Sequence, residues 1–347
     1  MRDGKRLTGG FIVTVKELAK IAGVSPAAIS IVLNDKKGVS DETRERVLDI
    51  LKQYNYTNNK KTRGSSRNIC FLKYKKHGML VEPNEGFIST ILDAVEAECR
   101  IKGYNLSMIV SEHNFEETIR NMDFSTVDGL IVLGTELEEE QYGCLDSIKK
   151  PFIVVDNAAR NHSCNSIAIN NEETVMLALS HLSQLGHKSI AYFHSNVAIA
   201  NFNERNLAFM RYCKEFDLDF VPENEFDIPP TLVGAYNSMK TCLSSKASLP
   251  SCAFADNDSI AIGAIKALKE AGYQVPKDIS IIGFDDIHFS AIASPPLTTM
   301  RIPKALIGTL AVRQICDLIE CSPYNDVKLQ IGGELVLRSS TAMNIGR

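Results

Sequence analysis

The sequence predicts a small all-α headpiece followed by a larger α/β unit built on two doubly wound parallel sheets. Three observations lead there. Residues 14–56 hold three short amphipathic stretches separated by turn signals, and from Asn68 onward short apolar runs alternate with helical stretches. The charge of the 347-residue chain is also divided: residues 1–67 carry 14 Lys and Arg against 7 Asp and Glu, net +7, and the remainder 24 against 35, net −11. A basic helical end is built to meet phosphate; the acidic remainder is not.

Thr14-Val15-Lys16-Glu17 is a capping box, and Val15, Leu18, Ala19 and Ala22 then share one helical face. Gly23 breaks that helix. Ser25-Pro26 supplies an N-cap and a proline at the first position of a second helix, whose buried stripe is Ile29, Val32 and Leu33. The short turn makes the pair a helix-turn-helix. Ser40 caps a third helix, with Asp41 and Glu42 in its first turn and Val47, Ile50, Leu51 and Tyr54 as its stripe. The second helix turns Ala27, Ser30, Ile31 and Asn34 outward, with Pro26 and Ala28 beside them, and with Thr14 and Ser25 these are the candidate DNA-contacting residues. Small and apolar side chains cannot make bidentate hydrogen bonds to guanine or adenine, but they can touch a thymine methyl. Two other readings stay open: Ile31 extends the headpiece core towards the third helix, or the headpiece has lost sequence-specific readout.

Residues 1–13 read as a disordered leader, with three glycines and four charges in the first ten. Residues 57–67 are a polar, basic linker with no apolar stripe, expected to be mobile off DNA, in which Lys60, Lys61 and Arg63 can track phosphates. Beyond it, Ile69–Tyr74, Tyr104–Val110, Gly129–Leu133 and Phe152–Val155 read as strands, and a second set follows at Ser189–Phe193, Ser251–Ala255 and Ile279–Phe284. Helical stretches near 87–101, 171–185, 204–216, 257–270 and 303–320 cover their faces.

Ligands of open parallel sheets bind beyond the carboxyl ends of the strands. Asp156 ends the Phe152–Val155 strand, Arg205 follows Ser189–Phe193 across a short loop, Asn257 follows Ser251–Ala255, and Asp285 follows Ile279–Phe284. Carboxylates accept from vicinal hydroxyls, a guanidinium donates a planar fork, and an amide does both, so together these groups can satisfy a buried polyol. Two carboxylates against one guanidinium favour a neutral sugar over a phosphorylated or acidic one. The structural alternative is that Asn257 and Asp258 cap a helix while Asp285-Asp286 make a turn.

Other function classes find little support. There is no G-x-G-x-x-G, P-loop, H-E-x-x-H or G-x-S-x-G, and Ser147-Ile148-Lys149-Lys150 matches S-x-x-K without its partner motifs, so no enzyme and no cofactor are expected. The nine cysteines are scattered without a C-x-x-C pair, which points to reduced thiols in a cytosolic protein and to no metal site. His181 and His187 flank a helix end at Leu185-Gly186 and read as caps. A periplasmic-type solute receptor is the rival reading; it would need a signal peptide and would have no headpiece.

Thr14-Val15-Lys16-Glu17-Leu18-Ala19, Ala22-Gly23-Val24-Ser25, Val39-Ser40-Asp41-Glu42-Thr43-Arg44, Tyr54-Asn55-Tyr56, Leu185-Gly186-His187, Phe254-Ala255-Asp256-Asn257-Asp258, Gly283-Phe284-Asp285-Asp286, Pro296-Leu297-Thr298-Thr299 and Arg338-Ser339-Ser340-Thr341 follow one another in order. Over nearly its whole length the chain resembles the lactose-repressor (LacI) family of bacterial transcription regulators. The resemblance implies a headpiece at 14–56, a hinge at 57–67, and an effector-binding and dimerisation domain at 68–347 of periplasmic-binding-protein type. That domain would have an N-subdomain of about 68–167 and 299–327, a C-subdomain of about 168–298 and 328–347, and an effector cleft between them. It further implies effector contacts at Asp156, Arg205, Asn257 and Asp285. One headpiece gives too few base contacts, so a homodimer on a pseudo-palindromic operator is expected, and no leucine-heptad tail of a tetramer is read after Arg338-Ser339-Ser340-Thr341. Three departures bear on function. The hinge position that carries a minor-groove leucine aligns with Ser65, which lacks an apolar wedge. Ala208 stands where the family has glycine after its arginine. The loop that supplies a stacking aromatic ring reads Asp227-Ile228-Pro229-Pro230, leaving Phe87, Phe226 and Phe284 as candidates for that role.

Overall fold

The computed structural model describes residues 15–33, 36, 38–53, 67–76, 78, 86–112, 114–245, 249–321 and 326–345. The chain divides into two units, Met1–Ser65 and Ser66–Arg347. The first holds α1 (Val15–Ala22), α2 (Pro26–Leu33) and α3 (Asp41–Gln53) around Leu18, Ala19, Ala22, Ile29, Val32, Val47 and Leu51. Both predicted caps close: Ser25 Oγ accepts from the Ala28 amide at 3.1 Å, and Ser40 Oγ from Thr43 at 3.3 Å. Gly23, at φ +65°, gives the left-handed break after α1 that a side chain would resist. The Thr14 half of the capping box, Tyr54, the leader and most of the hinge lie outside the described residues.

The second unit runs β1 (Asn68–Lys75), α4 (Phe87–Lys102), β2 (Asn105–Glu112), α5 (Phe115–Asn121), β3 (Gly129–Leu133), α6 (Tyr142–Leu145), β4 (Phe152–Val155) and β5 (Asn165–Ile169). It continues through α7 (Asn171–Gln184), β6 (Ile190–Ser195), α8 (Ala200–Glu215), β7 (Glu225–Ile228), α9 (Leu232–Ser245), β8 (Cys252–Ala255), α10 (Asp258–Glu270), β9 (Ser280–Asp285), α11 (His288–Ile292), β10 (Thr298–Arg301), α12 (Lys304–Glu320), β11 (Lys328–Ile331) and β12 (Glu334–Val336). Two six-stranded sheets result, ordered β11-β5-β4-β3-β1-β2 and β12-β10-β9-β8-β6-β7. All described pairings are parallel except β10 with β12.

Strand alternation sends successive residues to opposite helical layers. Phe71, Ile131, Ile153 and Ile167 pack towards Ile91, Val95, Ile307 and Ile315 of α4 and α12; Leu72, Leu130, Val132 and Val154 pack towards Phe115, Ile119, Tyr142 and Leu145 of α5 and α6. In the other sheet Tyr192, Phe254, Ile282 and Phe284 meet Leu179, Leu182 and Phe209, while Ala191, Phe193, Ala253 and Ile281 meet Met239, Ile260, Ala264 and Leu268. Gly308 lets α12 close on α4, where any Cβ would collide with the Ile91 carbonyl.

The chain passes between sheets after Ile169, after Arg301 and after Ile331, each a few residues later than expected. β10 is short and largely polar, so its end carries no apolar mark in the sequence. Thr298 and Thr299 are nonetheless fully buried, since Thr299 Oγ1 donates to Asp258 Oδ1 at 2.5 Å and Thr298 Oγ1 accepts from the Arg338 amide at 3.0 Å. α8 starts at Ala200, four residues ahead of the expected 204, so Arg205 lies in the second turn of the helix and not at its start. All nine cysteines are free thiols. Among the described residues no helix is long and apolar enough to cross a membrane, and no cluster of His, Cys, Asp or Glu is arranged to hold a metal.

Candidate effector site and DNA-facing helix

The two sheets turn the carboxyl ends of β3, β4, β6, β8 and β9 towards one cleft, and their order reverses between β1 and β3 and again between β6 and β8. Such switch points are where open α/β sheets bind ligands. Asp156, one residue past β4, has φ +62° and is buried; its Oδ2 accepts from Thr135 Oγ1 at 2.5 Å and its Oδ1 from Asn201 Nδ2 at 3.0 Å. Asp285, the last residue of β9, has φ +109°. Two non-glycine residues at positive φ, one at a strand end of each sheet, are strain of the kind that collects at functional sites.

Arg205 is almost wholly buried. Its Nε donates to Asn171 Oδ1 at 2.9 Å, its Nη1 to the Asp256 carbonyl, and its Nη2 lies 3.7 Å from Asp285 Oδ1. The guanidinium lies 3.6 Å over the Phe284 ring. Asp285 Oδ1 is buried without a hydrogen-bond partner among the described residues, although Lys304 Nζ donates to the Asp285 carbonyl and, at 3.1 Å, to that of Asp286. Burial raises the Asp285 carboxyl to about 6 against the opposing pull of Arg205 and Lys304, and it raises Asp156 to about 6 against the Thr135 hydrogen bond and Arg205. Burial also holds Lys304 below the usual lysine range.

Thus Asp156, Arg205 and Asp285 are brought together. Asn257 stands beside them as the N-cap of α10, accepting from the Ile260 amide at 2.8 Å and donating to the Pro230 carbonyl at 3.4 Å, which is the capping role weighed from the sequence. Of the aromatic candidates, Phe226 is buried edge-on against Phe193 at 5.5 Å, and Phe284 is fully buried with Arg205 on its ring, so neither offers an open face. Phe87 is half-buried, with Lys304 Nζ 5.7 Å from its ring centre.

Several members of the site escaped the sequence reading. Asn171 and Asn201 form a relay, Asn171 Nδ2 donating to Asn201 Oδ1 at 2.9 Å, and Asn201 spans to Asp156 on the other sheet. Asp256 accepts from Tyr192 Oη and His194 Nδ1, each at 2.6 Å, and from the Ser195 amide at 2.8 Å, tying the ends of β6 and β8 together. Asp256 sits directly at a strand end, a signal the sequence did carry; Asn171, Asn201 and Lys304 have no such mark.

In the headpiece, Ser25, Pro26, Ala27 and Ser30 are exposed on α2, and Ala28 and Ile31 are half-buried. Ile31 Cδ1 lies 3.5 Å from where a Cβ on Gly38 would sit, so this side chain packs in part against the segment leading to α3. Thr14, Asn34, Lys60, Lys61 and Arg63 lie outside the described residues.

The family model described as "Bacterial regulatory proteins, lacI family" matches residues 14–59, and the one described as "Periplasmic binding protein-like domain" matches residues 179–341. The HTH-type transcriptional repressor PurR of Mannheimia succiniciproducens is 31% identical over 332 residues, spanning 94% of this chain and 98% of its own. Among solved structures, a transcriptional regulator CelR–cellobiose complex superposes with a TM-score of 0.71 at 21% identity, covering 94% of this chain and 99% of that one. A lac repressor dimer bound to operator and an anti-inducer gives a TM-score of 0.71 at 24% identity, covering 95% and 99%.

Proposed function

This chain belongs to the lacI family of bacterial regulatory proteins and is a DNA-binding transcriptional repressor controlled by a small-molecule effector; from that premise we propose that the effector is a neutral, polyhydroxylated compound of sugar type, seated on Asp156, Arg205 and Asp285. One observation carries the reading: Asp285 Oδ1 is buried with no hydrogen-bond partner among the described residues, 3.7 Å from Arg205 Nη2. A hydroxyl placed there donates to the carboxylate and accepts from the guanidinium at once, whereas a fully ionised phosphate or carboxylate has no proton to give and would face the carboxylates of Asp156 and Asp285. Asn257 contributes through its cap, and Phe87 is the aromatic ring nearest to serving as a face for the sugar. The cellobiose held by the CelR structure is of this chemical class.

We propose residues 14–56 as the operator-binding headpiece, residues 57–67 as a hinge and residues 68–347 as the sensing and dimerisation domain. One headpiece reads too few bases alone, so a two-fold dimer on a pseudo-palindrome is the arrangement proposed. Work on chromosomal DNA puts the protein in the cytoplasm, and no catalytic step is assigned to the cleft. Ligand on Asp285 reaches the crossing segment through Lys304, whose Nζ holds the Asp285 and Asp286 carbonyls from the first turn of α12. A thermal-shift screen of the full chain against neutral mono- and disaccharides tests the reading. At a hundred times its dissociation constant the true effector adds roughly 2.7 kcal/mol. Stabilisation by sugar phosphates or sugar acids alone, with none by neutral sugars, would overturn the proposed ligand class.

A further inference from the structure

α8 presents two faces. Asn201 and Arg205 point into the effector site, while Ala200, Glu204 and Leu207 line a separate cavity of about 450 Å³, closed on its other side by the segment after β3 and by residues 157–162. That volume lies within the usual range for small-molecule sites, about 300–1,000 Å³. Its polar character is one-sided. Glu136, Glu138, Glu139, Glu140 and Glu204 line it against the single guanidinium of Arg160. Lys76 pairs with Glu138 from outside the lining, and Arg160 Nε pairs with Glu204 Oε1 at 2.7 Å.

An independent feature points to an occupant. Tyr142, 4% exposed, lines this cavity, and its Oη has no hydrogen-bond partner among the described residues. A buried hydroxyl left unpaired is costly unless something binds it. The Tyr142 ring is stacked on His162 at 4.0 Å and 1°, and His162 Nε2 lies 3.0 Å from Glu139 Oε1, so a flat aromatic wall stands beside the carboxylates. No group of carboxylates here converges at metal-ligand spacing among the described residues, which favours a larger cation that spreads its charge and lays methylenes on the 74%-exposed Leu207.

We propose that this cavity is a second ligand site that takes an organic ammonium ion of diamine size, with Tyr142 Oη and the carboxylates of Glu139 and Glu204 as its acceptors. The ammonium shares Glu204 with Arg160, whose side chain is 57% exposed and loses little when displaced. The cation joins residues of both sheets, because Glu139 follows β3 and Glu204 belongs to α8. It also communicates with the effector site: Asn171 donates to Glu204 Oε2 at 2.8 Å and accepts from Arg205 Nε at 2.9 Å. Effector affinity and amine affinity therefore shift each other by one common factor.

Titration calorimetry of the full chain with 1,4-diaminobutane dihydrochloride, against sodium chloride at matched ionic strength, tests the site. The expected result is one saturable site per chain, weakened about tenfold or more by Tyr142→Phe and by Glu204→Gln, and retained by Asp285→Asn. Tyr142→Phe removes only a hydroxyl that has no hydrogen-bond partner among the described residues, so it keeps the fold and decides the matter even if Glu204→Gln does not fold. Heats equal to the salt control, unchanged binding in both variants, or loss of amine binding in Asp285→Asn would each overturn the proposal, the last by placing the cation in the effector cleft.

Discussion

Arg205 lies flat on Phe284, its guanidinium carbon 3.6 Å from the ring centre. The ring fixes the guanidinium plane, and Asn171 and the Asp256 carbonyl fix its rotation, so the one arm turned towards Asp285 is preorganised.

Removing the shelf while keeping its bulk is therefore expected to weaken the effector. Phe284→Leu forfeits a cation–π contact of about 0.5–2 kcal/mol, which lowers affinity roughly two- to thirtyfold, and it costs about 1–2 kcal/mol of stability from lost packing. Calorimetry beside thermal melts checks both. Unaltered affinity with lowered stability would make Phe284 packing alone.

The raised carboxyls give a pH signature with a definite sign. Asp156 and Asp285 sit at about 6, above the ordinary carboxylate value, so each contributes stability that is fully present below that ordinary value and is lost as pH rises through about 6. Asp285→Asn removes one of these titrations, so its melting temperature should gain on that of the parent between pH 4 and 7. Effector affinity runs the other way in the parent, strengthening as pH rises through about 6 and the carboxylates become full acceptors. A gap between parent and variant that stays constant with pH would refute the assignment.

On DNA, α2 offers small and apolar groups. Replacing operator thymines by deoxyuridine should weaken binding by about 1 kcal/mol for each methyl read, and Ala27→Gly should blunt that sensitivity at the positions it contacts. Selection from random duplexes that enriches no motif would favour a headpiece without sequence readout. Ile31→Ser separates the two roles of this half-buried side chain, because a role in packing lowers the headpiece melting temperature even without DNA.

How far the sequence could be read depended on where each residue's partner lies. Gly129–Leu133 is apolar and buried throughout, so it was recognisable as a strand, whereas Thr298–Arg301 reads as polar and is a strand only because Asp258 and Ser340, far away in the chain, satisfy it. The positions of Asp156 and Asp285 were legible because they stand at strand ends. Asn201 was not, since its role comes from Asp156 on the other sheet, and Lys304 was not, since its partners are backbone carbonyls. The burial of Phe284 was readable in principle: it alternates with Ile282 on the core face of β9, which leaves no side open to a sugar.

The most direct test of the central claim pairs two titrations of Asp285→Asn and the parent, one with the neutral saccharide that most stabilises the parent and one with operator DNA in its absence. If Asp285 holds an effector hydroxyl, the variant loses about 2–3 kcal/mol of saccharide affinity, roughly 30- to 150-fold, while its operator affinity stays within about twofold of the parent. Equal saccharide affinity in the two proteins would contradict the account.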